Sequence, residues 1–169
     1  MNRKVPTGDA PTLDTYRLAL RPITARDVHA LHRIFNQPDV RRYLWDDEPI
    51  EKATIRDLIS QSVRMFSEEG INLFGIRGRG WENLLGFCGF VRLGGMEEPE
   101  LGYELTQEAW GKGLATEASL ACLRHAFEEA GLRRVITGAD AENVASVRVI
   151  EKLGMRFVGS MNPNAPEEP

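Results

Sequence analysis

Gly111, Lys112 and Gly113 follow the apolar-alternating run LGYELT and stand at the start of a helical pattern. Glycine costs a helix roughly 1 kcal/mol relative to alanine, so two of them here need a reason. Both residues can take positive φ and carry no side chain, so successive N–H groups can converge on an anion. The following helix start adds about half a positive charge, and Lys112 brings a mobile cation. The chemistry this favours is backbone capture of a phosphate-bearing ligand. A tight strand-to-helix turn with no ligand would use the same residues. Two familiar phosphate loops are excluded: GxxxxGK[ST] is absent, and Thr116 stands where GxGxxG would place its third glycine.

The elements around this turn follow from periodicity. ELGYEL (100–105) reads as the strand entering it, and Ala115–Ala130 as the helix leaving it, closed by Gly131. In that helix Ala115, Ala118, Cys122 and Ala126 form a small-residue stripe that allows close approach to a sheet. Leu120, Leu123 and Phe127 form a larger apolar stripe, leaving Glu117, Arg124 and Glu128 for solvent. Upstream, 16–23 alternates as a strand. Thr24 with Asp27 marks a helix start, Val28, Leu31 and Phe35 form its apolar face, and Pro38 lies just beyond as its stop. A helix over about 51–68 ends at Gly70, and 71–78 and 84–93 read as a hairpin pair around GRGWEN. Downstream come a strand over 133–140, a short helix over 144–154 and a last strand over 155–161. The order β α α β β β α β α β predicts one mixed sheet covered by helices. The domain spans 13–161, between tails at 1–12 and 162–169.

A chain of 169 residues, 42% hydrophobic and 27% charged, suits a single domain with a core of its own. The net charge of −4 gives no basic field for nucleic acid or an anionic membrane. No run of about 18 apolar residues is present, and the first residues lack the apolar stretch of a signal peptide. Cys88 and Cys122, in strand and helix patterns without CxxC, read as buried thiols in a reducing cytoplasm. His29, His32 and His125 lack metal-ligand spacing, so no metal is expected.

Three stretches then carry a family likeness: YRLALRPITARDVHALHRIFNQPDVRRYL, LGYELTQEAWGKGLATEA and ENVASVRVIEKLGMRFVG. In this order, over roughly residues 13–160, they resemble the GNAT superfamily of acetyl-CoA-dependent N-acetyltransferases. More narrowly, they resemble its RimJ/RimL type, which includes ribosomal-protein N-terminal alanine acetyltransferases. The resemblance implies an α/β fold of the α+β mixed-sheet kind. Its central, mostly antiparallel sheet is splayed between the fourth and fifth strands, with helices on both faces.

The resemblance also implies a cofactor site. The family's pyrophosphate motif, Gln/Arg-x-x-Gly-x-Gly/Ala, falls on Glu108, Ala109, Trp110, Gly111, Lys112 and Gly113. The glycines match; Glu108 departs from the leading Gln/Arg. Backbone N–H groups from Gly111 through Leu114 and Ala115 to Thr116 would grip the pyrophosphate. Leu105 and Thr106, on the strand that splays from its neighbour, would pair with pantetheine, and the Leu105 N–H is the candidate donor to the thioester oxygen. Asn143 matches the asparagine that hydrogen-bonds the pantetheine arm.

Acetylating an amine requires a neutral amine, a preorganised donor for the developing oxyanion and a proton for the leaving thiolate. Glu104 is the candidate base, with Glu100 second, acting through water. The family's tyrosine acid falls on Ile150 and is missing. Ser146 matches the RimL-type serine that hydrogen-bonds the thiolate. Tyr103 and Tyr43 are alternative hydroxyls, although the alternation places Tyr103 in the core. Arg148 and Lys152 are read either as phosphate cations or as a solvated helix face. Neither cysteine has a recognisable base partner, so transfer is expected to be direct, with no acyl-enzyme.

For the acceptor, RRYLWDDEPI supplies Tyr43 and Trp45 as walls, with Asp46, Asp47 and Glu48 attracting a cationic amine. The expected acceptor is a protein or peptide N-terminus. A polyamine, amino acid or aminoglycoside, or a non-catalytic CoA-binding module, are the alternatives. Where the family adds a last strand, this chain has NPNAPEEP, whose prolines cannot serve a central ladder. The sheet is therefore expected to be a strand short, with an edge that a homodimer could cover.

Overall fold

Alternating apolar residues build the sheet. In the computed structural model, which describes residues 8–44, 47–92 and 97–160, five antiparallel strands pair in sequence order. They are β1 (Leu13–Asp14), β2 (Leu18–Pro22), β3 (Leu73–Gly78), β4 (Leu84–Val91) and β5 (Glu100–Leu105). The β4–β5 register pairs Phe87 with Glu104 and Cys88 with Tyr103. Strand alternation thus puts Glu100 and Glu104 on one face, and Leu101, Tyr103 and Leu105 on the other.

Helices cover both faces. On the Glu104 face lie α1 (Val28–Phe35), the one-turn α2 (Pro38–Arg41) and α3 (Lys52–Glu69). Their core joins Leu31, Phe35, Val40 and Ile55 to Leu73 and Val91, and Phe35 meets Phe87 edge-on at 5.2 Å. The entry to α1 is a capping box in which Thr24 and Asp27 each satisfy the other's backbone. Asp27 also takes an ion pair from Arg77 at 2.5 Å. On the other face α4 (Leu114–Arg124) continues as a π-helical segment, His125–Glu129. Ala118, Cys122 and Ala126 are fully buried there, so the small-residue stripe does bring the helix onto the sheet. The last helix, α5 (Val144–Lys152), starts from Asn143. Both cysteines are free and buried.

Several expectations need correction. Pro38 lies three residues beyond the end of α1, as expected, but it also opens the unexpected one-turn α2, where its missing N–H costs nothing. In the larger stripe of α4 and its π-helical continuation, Leu123 is buried, whereas Leu120 and Phe127 face outward. Residues 133–140 form no strand: one parallel bridge, Glu100 to Ile136, is all their pairing. Residues 155–160 form none either, and Phe157 and Val158 stand 66% and 73% exposed. Alternation was present in both stretches, and the β5 edge is open, but 133–140 meets it only at Ile136 and 155–160 pairs with no strand. Beyond Ile136 the chain leaves β5. Among the described residues the sheet is therefore antiparallel throughout and open at β5; the NPNAPEEP stretch, on which the expectation of a missing last strand rests, lies outside them.

Candidate active site

The opening beside β5 is where the two faces of the sheet meet. The Leu101 N–H donates to the Ile136 carbonyl at 2.8 Å, and Thr137 Oγ1 donates to the Leu101 carbonyl at 2.9 Å. Past these bonds the following chain parts from β5 and a cleft of about 310 Å³ opens. Phe35, Tyr43, Leu58, Phe87, Glu100 and Glu104 line it from the α1/α3 side, and Tyr103, Asn143 and Ser146 from the other. By alternation, the N–H groups of Leu101, Tyr103 and Leu105 face the open edge.

Glu104 sits where the cleft crosses the strand. Burial pushes its carboxyl up to about 7, against a smaller opposing pull from the Leu105 N–H. A carboxyl that ionises near neutrality can take a proton from an ammonium ion at neutral pH. Its Oε1 accepts the Leu105 N–H at 3.1 Å. The residues expected as base and as oxyanion donor therefore hold each other. Glu100, two strand positions up the same face at each step through Gly102, is also raised by burial, with the Gly138 N–H pulling the other way.

On the opposite face Asn143 caps α5 by accepting the Ser146 N–H at 3.1 Å. Ser146 Oγ lies 2.8 Å from the Tyr103 hydroxyl, which also donates to the Ser146 carbonyl at 3.2 Å. Tyr103 thus packs against the core, as expected, while its hydroxyl meets α5. Burial raises its pKa, the Ser146 bond opposes that, and Cys88 and Glu104 add to the rise. Asp140 joins the lining as well. The sequence carried no signal for Asp140. For Tyr103 the signal was its place on the strand that holds Glu104.

The glycine turn lies outside this lining, past the end of β5. Gly111 and Gly113 have φ of 69° and 74°. Gly113 is the N-cap of α4 and has no side-chain cap. The first helical bond runs from the Glu117 N–H to the Gly113 carbonyl at 3.1 Å, which leaves the N–H groups of Leu114, Ala115 and Thr116 without intrahelical partners. A Cβ built on Gly111 would meet nothing within 4 Å. Donors and open space together fit a pyrophosphate. Trp110 ties the turn to the strand, its Nε1 donating to the Leu105 carbonyl at 2.7 Å. Lys112 is not the mobile cation expected, because its Nζ donates to the Glu108 carbonyl at 2.6 Å. Thr106 donates its N–H to the Leu85 carbonyl, and its buried hydroxyl has no partner.

The acceptor segment is only partly assembled. Tyr43 lines the cleft, with the Arg42 guanidinium 5.4 Å from its ring centre. Asp47 is drawn off by an ion pair to Arg41 at 3.0 Å and does not line the cleft. Trp45 and Asp46 lie outside the described residues. Arg148 and Lys152 are exposed on α5. Among the described residues no group of His, Cys, Asp or Glu could hold a metal ion, and no helix is long and apolar enough to cross a membrane.

The family described as acetyltransferase (GNAT) domain matches residues 17–156, the span that carries β2, the glycine turn and α5. The chain belongs to the GNAT acetyltransferases. A Bacillus subtilis relative, the uncharacterized N-acetyltransferase YoaA, is 33% identical over 88% of this chain and 85% of its own. The spermidine N(1)-acetyltransferase of Escherichia coli K12 is 26% identical over 86% and 76%. Among solved structures, an acetyltransferase of Agrobacterium tumefaciens superposes with a TM-score of 0.77 at 25% identity, covering 98% and 92%. RimL, a ribosomal L7/L12 alpha-N-protein acetyltransferase in complex with coenzyme A, shares the fold with a TM-score of 0.69 at 18% identity, covering 85% and 82%. The activity is that of a GNAT-type N-acetyltransferase, and the GNAT fold uses acetyl-CoA.

Proposed function

We propose that this GNAT enzyme transfers an acetyl group directly from acetyl-CoA to a primary amine on a protein or peptide N-terminus. The observation that carries this reading is Glu104, raised to about 7 at the point where a cleft lined from both faces crosses β5. Acetyl-CoA supplies the activated acyl group. The N–H groups of Leu114, Ala115 and Thr116 would hold its pyrophosphate, Asn143 its pantetheine arm, and the Leu105 N–H would face the thioester oxygen once Glu104 releases it. Glu104 takes the ammonium proton, and Ser146, held by Tyr103, offers its hydroxyl to the departing sulfur. Orientation of two bound substrates supplies much of the rate, about 7–11 kcal/mol in favourable cases.

The apolar walls from Phe35, Leu58 and Phe87 favour an amine carried on an uncharged body, as at an N-terminus. Two carboxylates on one face, Glu100 and Glu104, favour a polyamine as the second reading. A thiol-release assay over N-terminal peptides and small amines separates them. Peptide turnover with lower kcat/KM for spermidine supports the first, and the reverse order overturns it. The exposed Phe157 and Val158 fit the expected homodimer, and a monomer-sized scattering mass at micromolar concentration would remove it.

A further inference from the structure

The helical pattern leaves Glu117 for solvent, yet in the structure it is the most heavily engaged carboxylate near the glycine turn. Its Oε1 accepts the Thr15 hydroxyl at 2.6 Å and the Arg17 backbone N–H at 2.9 Å. Its Oε2 accepts Arg17 Nε and Nη2, each at 2.6 Å. The remaining arm of the same guanidinium, Nη1, donates to the Lys112 carbonyl at 2.8 Å. Burial pushes the Glu117 carboxyl up, but the Thr15 and Arg17 donors outweigh it and hold it below the usual carboxylate range.

The link spans about a hundred residues of sequence and joins the β1–β2 turn to the first turn of α4. The core does not need it, because α4 already docks through Ala118, Cys122 and Ala126. What it does fix is one peptide of the loop. Continued helical pairing would give the Lys112 carbonyl to the Thr116 N–H, four residues on. The left-handed Gly113 starts the ladder one residue later and leaves the Thr116 N–H outside it, and Arg17 Nη1 holds the freed Lys112 carbonyl in that position. With Nε, Nη1 and Nη2 each donating within the protein, Arg17 ties the loop to Glu117.

We propose that Arg17 and Glu117, helped by Thr15, are positioning residues that hold the Gly111–Gly113 turn in the shape that receives pyrophosphate. The proposal rests on reading that turn as the pyrophosphate site. Holding the N–H groups in place before binding lowers the ordering cost that binding would otherwise carry. The brace therefore acts on donor affinity, and only for donors that bear a pyrophosphate.

The test is calorimetric titration with CoA of the wild type, Arg17→Met, Glu117→Gln and the double variant, with melting curves to verify folding. Each single change is expected to raise the CoA Kd by about tenfold, the scale of one charge-assisted contact. The double variant should be no weaker than the worse single, because both remove one device. Acetyl-pantetheine, which lacks the pyrophosphate, should show a KM shift of less than about twofold in the same variants. Thr15→Val removes one hydroxyl and serves if the larger changes unfold the chain; it should weaken CoA in the same selective way. Equal weakening of both donors, or unchanged CoA affinity in folded variants, overturns the brace. A wild type that binds no CoA overturns the pyrophosphate reading beneath it.

Discussion

Glu104 concentrates the chemistry in one side chain. Because it must be ionised to accept a proton, kcat/KM should rise with pH through about 7 and level off above it. Glu104→Gln should remove that limb and lower kcat/KM by about 10²–10⁴-fold, read from pH–rate profiles. The same group leaves a mark on stability of the opposite sign. Its folded pKa lies above the unfolded value, so between about 4.5 and 7 the native state binds more protons and stability falls as pH rises. Glu104→Gln should therefore raise the melting temperature more at pH 8 than at pH 5. The upper bound on that gain is about 3.5 kcal/mol, from roughly 1.4 kcal/mol per pKa unit over the rise from 4.5 to about 7. The family likeness pointed to Asn143 and Ser146, and with the place of ELGYEL before the glycine turn it pointed to Glu104. None of this could show that Glu104 would bond the Leu105 N–H, or that Tyr103 would reach α5, because the first depends on a side-chain rotamer and the second on where a helix 43 residues away is placed.

At the scale of elements, periodicity located β5, the glycine turn, α3 and the Thr24–Asp27 entry to α1. Local signals sufficed there: a capping box, a glycine C-cap, a clean alternation. They did not suffice for 133–140 and 155–160, where alternation exists but the chain turns away from the open β5 edge after Ile136 and pairs with no other. The two-residue β1 was too short for any period to register. In the segment after α1, Asp47 is placed away from the cleft by a local ion pair to Arg41, while Tyr43 lines it. Gly113→Ala, forced to keep a φ of 74°, should cost about 1–2 kcal/mol. Steady-state kinetics should show it as a higher KM for acetyl-CoA, with kcat at saturation much less affected. Ala118, fully buried where α4 meets the sheet, tests the packing: Ala118→Leu should destabilise by about 1–3 kcal/mol through overpacking, visible as a lower denaturant midpoint.

For the whole molecule, the layers were legible and their closure was not. Apolar faces on β2 to β5 and on the helices require a covered sheet, and two clusters on opposite faces fulfil it. What no pattern announced is how far the last covering segment departs from β5 after Ile136. That departure leaves one edge of a buried strand reachable from two directions, by residues as different as Phe87 and Ser146. Traffic follows from this. If donor and acceptor arrive by separate routes, each can be present while the other enters, and thiol and amide can leave without waiting for one another. Initial-velocity lines at varied donor and acceptor should then intersect; parallel lines would mean that the thiol leaves before the amine binds, through an acyl-enzyme that direct transfer does not have.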